Sequence, residues 1–225
     1  MKTATKHWVW FTIITNQLNK DLVNALCLRS FPDKTAFVSK MILASLIAAF
    51  ALAGNSQEGV IGSMLVSPVG GPVMGLIAAL VSSDSDGLAD AGLYLALGMA
   101  FLIGVGMAVG KHFENDEPTL EMKRRYTHPD KYTAVSAVII GLCFGLVALA
   151  SGNAISEGVG AGIAISLLPP AVNVGLTYMK KDMDEEEKLK NMMATLNITL
   201  YNMAGIAVAC FILFALVGDG DIVSF

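Results

Sequence analysis

Charge is scarce in this sequence. Only 15% of its 225 residues are Asp, Glu, Lys or Arg, against about 25% in an ordinary soluble domain. With 54% hydrophobic residues and a mean hydropathy of +0.61, that shortage excludes a disordered chain and argues against a soluble enzyme. An excess of positive charge is also missing. The net charge is −4 and the isoelectric point about 5.3, so no nucleic-acid partner is expected. Cysteine is sparse: Cys27, Cys143 and Cys210 have no CxxC spacing, which gives neither a disulfide framework nor a zinc site. The three histidines lie outside the apolar runs, so no metal cluster and no cofactor are expected. HExxH, GxSxG, paired membrane aspartates and a reactive Cys–His arrangement are all absent, and the chain is not expected to be an enzyme.

What is present is a set of long charge-free runs: Met41–Gln57, Gly59–Ser83, Ala91–Gly110, Tyr132–Ser156, Gly158–Met179 and Asn191–Gly218. A helix needs roughly 20 apolar residues to cross ~30 Å of hydrocarbon. The charges gather in the first 40 residues, an acidic loop (Asp84, Asp86, Asp90), two loops at Lys111–Lys131 and Lys180–Lys190, and the C-terminus (Asp219, Asp221). Glu58 and Glu157 alone sit between apolar stretches. The pattern predicts an all-α, multi-pass integral membrane protein, with the lipid bilayer as its surroundings.

The chain repeats itself. Asp33-Lys34, Val38-Ser39, Ile42 and Ala51-Leu52-Ala53 recur as Asp130-Lys131, Val135-Ser136, Ile139 and Ala148-Leu149-Ala150. Gly54-Asn55, Glu58-Gly59-Val60 and Ser67 recur as Gly152-Asn153, Glu157-Gly158-Val159 and Ser166, and Leu93-Tyr94 is echoed by Leu200-Tyr201. Shared apolar composition does not account for matched polar residues in one order. The expected organisation is therefore two tandem three-segment transmembrane repeats, residues 33–129 and 130–225, behind an N-terminal segment, 1–32. Trp8, Phe11, Thr15, Leu18, Leu22 and Leu26 fall at helical spacing there, which predicts an amphipathic helix on the membrane surface. A role as a targeting segment remains open.

Each repeat carries a Gly-Asn turn, a Glu and a Ser/Pro/Gly interruption. Gly permits the positive φ of a tight reversal, and Asn or Ser can cap the next helix. Capping is one role for Asn55, Glu58, Asn153 and Glu157; facing a wet cavity and handling ions is the other, since ionisable groups at membrane depth are costly and usually functional. The middle segments hold Ser67, Pro68, Gly70, Gly71 and Pro72 in one copy and Ser166, Pro169, Pro170 and Asn173 in the other. Proline removes a backbone donor, and irregular backbone at membrane depth survives where it is buried or lines a cavity. One helix per repeat is thus expected to break, as a re-entrant or a discontinuous segment, around a central site.

Basic residues leave the topology open. Re-entrant hairpins would make the repeats parallel and place eleven basic residues on one side against four. Six full crossings would invert the repeats, with six against nine. Charge counting favours the hairpins and segment length favours the crossings. GxxxG steps such as Gly71–Gly75 and Gly106–Gly110 suit packing within a protomer or a homo-oligomer.

The stretches Ala44–Leu76 and Gly158–Leu176, with Asn197–Val208, resemble the integral-membrane family called domain of unknown function 389. Its members carry similar G-x-M-L-V-x-P-x-x-G-P and G-x-x-I-A-x-x-L-x-P-P segments, here within Gly62–Pro72 and Gly160–Pro170. The resemblance spans about Asp33 to Phe214 and implies a polytopic helical membrane protein, without naming an activity. The long, mixed-charge loop Glu114–Lys131 departs from it.

The expected function is a transporter or channel for a small ion or solute, with its site between the repeats. Glu58 and Glu157 would serve a cation or proton, and Ser67, Ser166 and Asn173 would be neutral ligands. Whether a metal ion is the cargo is left open. The alternative is a non-transporting membrane scaffold that binds partners through its charged loops.

Overall fold

A computed structural model of the protein describes residues 34–82, 85–126 and 156–217, with scattered positions between 132 and 139. The expected surface helix 1–32 and Asn153 lie outside the described residues. So do the side chains of Glu157 and Ser166. The described elements are helices: α1 (Lys34–Ala53), α2 (Gln57–Val66), α3 (Gly70–Ser82), α4 (Ser85–Gly110), a 3-10 turn (Lys111–Phe113), a short α5 (Leu120–Lys123), α6 (Ser156–Tyr178) and α7 (Glu185–Val217).

The α1–α2 turn follows from its sequence with one exchange of roles. Ser56 N bonds to Ala51 O at 2.8 Å and Asn55 N to Leu52 O at 3.3 Å, the paired closure that ends many helices. The positive φ, 56°, falls on Asn55 rather than on Gly54, where glycine's freedom would place it. Asn tolerates this conformation because its short amide can bond locally. Ser56 then caps α2 by accepting the Gly59 N–H at 3.1 Å.

Contacts fix the helix directions. The Phe37 and Tyr94 rings meet at 5.6 Å and those of Phe50 and Phe113 at 6.2 Å, so α1 and α4 run parallel. Gly106 lies against Val172 and Gly175, and Gly110 against Leu176 and Met179, so α6 runs the same way. α4 has 26 residues, about 39 Å at 1.5 Å each. Ser82 is therefore at the opposite end of the bundle from Gly110, while Gln57 starts beside it. α2 and α3 together run from one end to the other. Of the two alternatives for that segment, these directions fit a crossing better than a re-entrant hairpin: a hairpin would return Ser82 to its starting end, and the length of α4 disfavours that.

Between α2 and α3 the chain leaves helical geometry at Ser67 (φ −68°, ψ 129°). α6, in contrast, continues through Pro169 and Pro170, where a break was expected. Packing outweighs local preference here: every side chain from Leu167 to Thr177 is buried, with α1, α2, α3, α4 and α7 all against this helix. Neighbouring helices hold a proline-bearing segment in shape where isolation would not.

The outside is apolar and parts of the inside are not. Ile42, Leu43 and Phe50 on α1 and Leu93 and Leu97 on α4 are exposed, whereas Ser45, Ser63, Ser67, Asn173, Thr177, Thr195 and Thr199 are buried. Water would penalise such a surface. Thr35–Ala53, Ser85–Phe113 and Glu185–Ala209 are long and apolar enough to cross a membrane.

Candidate functional site

Most buried hydroxyls in the bundle are already satisfied. Ser45 Oγ donates to Met41 O at 2.7 Å, Ser63 to Val60 O at 2.6 Å and Thr199 to Thr195 O at 3.0 Å. Ser67 Oγ, 8% exposed, accepts the Val69 N–H at 3.4 Å. It caps the gap between α2 and α3, with Gly70 and Pro72 buried and Pro68 and Gly71 half-buried beside it. Both helices pack against α6.

Asn173 differs. It is fully buried, lies three and four residues beyond Pro170 and Pro169, and so shares their helix face. Its Nδ2 donates to the Met122 carbonyl at 3.3 Å. That bond fixes which way the amide points, since turning it over would set two acceptors against each other. Oδ1 is then buried with no hydrogen-bond partner among the described residues. An unfilled carbonyl oxygen at this depth costs about 1–3 kcal/mol, and the chemistry that relieves it is an N–H, an O–H or a cation.

The Met122 carbonyl arrives from the central loop, folded into the end of the bundle. Thr119 Oγ1 donates to Leu52 O at 2.6 Å, and Glu121 N donates to Asn55 Oδ1 at 3.1 Å. Asn55 therefore caps α5 rather than the helix that follows it. Tyr126 OH and Thr177 Oγ1 share a bond at 2.9 Å, and Thr195 Oγ1 donates to Arg125 O at 2.9 Å. The loop is thus tied to α1, α6 and α7. Its Glu121 carboxylate is buried and accepts from Arg124 and Arg125. Desolvation pushes the Arg125 guanidinium pKa down, and Glu121 opposes the shift. Lys180 is buried with Nζ 2.7 Å from Phe113 O and 2.8 Å from Asp116 O, closing the carbonyl end of α4. Burial lowers its pKa, against Asp116 and Asp182.

Of the sequence candidates, Pro169, Pro170 and Asn173 come together on one face of α6, and the Ser67–Val69 gap, followed by Gly71 and Pro72 in the first turn of α3, joins the two helices packed on it. Asn55 belongs to the loop clamp. Glu58 is exposed in the first turn of α2, where its carboxylate accepts from Ser56 Oγ at 3.3 Å. Glu121, Arg125, Tyr126 and Thr177 escaped the sequence reading. Thr119 before Glu121 signals a helix start, but nothing local points to Leu52 or Asn173 as partners. Among the described residues no group of three His, Cys, Asp or Glu side chains could hold a metal ion.

Burial raises the Tyr126 pKa above 10.0, helped by Glu187 and opposed by the Thr177 bond. The folded state therefore holds this proton where the unfolded chain loses it. Its contribution to stability is complete below the unfolded pKa and is lost as pH rises through the folded one. A Tyr126→Phe difference titration of phenolate absorbance is expected to place Tyr126 above the ordinary tyrosine range. Titration at or below pH 10.0 would show the loop to be open to water.

A family model described as domain of unknown function (DUF389) matches residues 64–212. No curated protein and no solved structure matches the chain.

Proposed function

The chain belongs to the domain of unknown function 389 family; that description carries no activity, and from the residues themselves we propose a multi-pass membrane protein that moves a small cation or hydrogen-bond-donating solute. The observation that carries this reading is the buried Asn173 Oδ1, which has no hydrogen-bond partner among the described residues, beside two prolines. An anion would meet its lone pairs unfavourably. Pro169 and Pro170 lack the N–H groups that would bond the carbonyls of Ile165 and Ser166, so those oxygens add further acceptors along the same helix. Ser67–Val69 lies near the middle of 57–82, and Pro169–Pro170 near the middle of 156–178. A gap in one segment, packed against a proline-bearing stretch with freed carbonyls in the other, is an arrangement from which transporters of duplicated design can build a cargo site.

The helix directions support inverted repeats. α1, α2–α3 and α4 run up, down and up; α6 and α7 run up and down as the second and third segments of the other copy. Glu58, exposed at the end where the central loop folds in, would raise the local cation concentration at that entrance. The scaffold alternative draws less support, because Glu121, Arg125 and Lys180 are engaged inside the protein rather than held out to a partner.

Purified protein in liposomes is expected to carry tracer flux of an alkali cation, ammonium or a small amine. Asn173→Leu is expected to cut that flux about tenfold or more, the scale of losing one buried ligand bond. Absence of flux for every cation and amine tried, or full flux in Asn173→Leu, would sink the proposal.

A further inference from the structure

We propose that the groove between α1 and α4 holds one acyl chain of a phospholipid whose headgroup carries a primary amine, with that ammonium paired to Asp90. The proposal rests on the membrane reading above. The groove encloses about 470 Å³ and is lined by Phe37 and Met41 from α1 and Leu97, Gly98 and Phe101 from α4, with Asp90 at its mouth. That volume is within the range of about 300–1,000 Å³ common to small-molecule sites. Gly98 opens its floor: a methyl group there would already reach Met41 Cε at 3.4 Å and Phe37 Cζ at 3.7 Å, so a larger side chain fills the space.

The groove's length identifies the occupant. Ala91–Gly110 is the charge-free run of α4, and its 20 positions rise about 30 Å, the thickness of the hydrocarbon. Asp90 therefore stands at one boundary and Phe101 at the midplane. The groove runs for about 16 Å along the helix, which is one leaflet. An acyl chain entering from that leaflet meets apolar side chains of α4 along its course and of α1 between Phe37 and Met41, and brings its headgroup to the exposed Asp90 carboxylate. Asp90 has no ion-pair partner among the described residues. A lone carboxylate at the end of an apolar groove matches a phospholipid whose headgroup carries an ammonium, and disfavours an anionic headgroup.

The test uses the full chain in vesicles of equal phosphatidylethanolamine and phosphatidylglycerol, then native mass spectrometry of the lipid it keeps. The wild type is expected to retain phosphatidylethanolamine about threefold over phosphatidylglycerol, the preference that a half-solvated ion pair supports. Asp90→Asn is expected to keep lipid and lose the preference, and Gly98→Leu to lose the lipid. Equal retention of the two lipids by the wild type, an unchanged preference in Asp90→Asn, or a dimer that Gly98→Leu dissociates would each overturn the proposal, the last by making a second copy the occupant. Asp90 is exposed, so its arm stands even where Gly98→Leu does not fold. Release of the protein from membranes by alkaline carbonate would instead overturn the membrane reading itself.

Discussion

Gly175→Ala is expected to cost about 3 kcal/mol of stability, the upper end of ordinary overpacking, and to strip the protein of a monodisperse folded form on heating. Alanine is a better helix former than glycine by about 1 kcal/mol, so the sign of the effect comes from the neighbour. A methyl group on Gly175 would overlap the Ile103 carbonyl oxygen and stand 2.6 Å from the Met107 nitrogen. Both are backbone atoms of α4, and neither can rotate away. Relief requires the two helices to separate, which opens gaps along a contact that also seats Gly106 against Val172 and Gly110 against Met179. Gly106→Ala should behave alike. Because the two glycines share one crossing, the double variant should cost less than the two singles together. Gly92 and Gly104 supply the contrast: nothing lies within 4 Å of a methyl group at either, so alanine there is expected to raise the melting temperature slightly. Thermal unfolding in detergent decides the matter. A Gly175→Ala protein as stable as Gly104→Ala would mean that α4 and α6 do not meet in this way.

That crossing marks how far the sequence could be followed. Gly106 and Gly110 are visible as a small-residue step, but the step suits an oligomer as well as a protomer. Only the position of Gly175, far along the chain, decides for contact within the protomer. Helical class and candidate spans were legible because the hydrocarbon thickness and the cost of charge impose run lengths that composition records directly. The interruption at Ser67–Val69 coincides with the residues that demand it. Pro169 and Pro170 carry the same local signal, yet α6 continues through them, because five surrounding helices supply what the local sequence withholds. Asn173 was visible as a polar residue near prolines. The lack of a partner for its oxygen among the described residues was not, since the amide is oriented by the Met122 carbonyl, which arrives from a loop whose charges pointed to solvent. Glu58 drew attention as an isolated charge, and the fold places it on the surface. Glu121 sat unnoticed in a charged run, and the fold buries it.

Glu121→Gln is therefore the other substitution expected to act strongly, at a cost of about 3 kcal/mol, as when one partner of a buried ion pair is removed. The Glu121 side chain is 7% exposed and that of Arg125 16%, so the charge left on Arg125 has little water to turn to. Arg124, 63% exposed, loses only a surface contact. Removing both charges together in Glu121→Leu/Arg125→Met should recover part of the loss, because no buried charge is then left unpaired, although the Glu121 carbonyl loses the Arg125 donor. Lost coupling between the two sites in a double-mutant cycle would mean that the pair is solvated. The effect should also travel. The backbone of Glu121 is held by Asn55, and the next carbonyl, that of Met122, orients Asn173. When α5 loosens, trypsin should cut after Lys123, Arg124 or Arg125 faster than in the wild type. Asn173, released from Met122, becomes free to turn its amide, so its oxygen is no longer held in one direction. Flux, where it is present, should then lose its preference for cations over neutral solutes before it loses magnitude. A Glu121→Gln protein that melts and resists trypsin like the wild type would separate the loop from the site, and leave Asn173 oriented by its own helix alone.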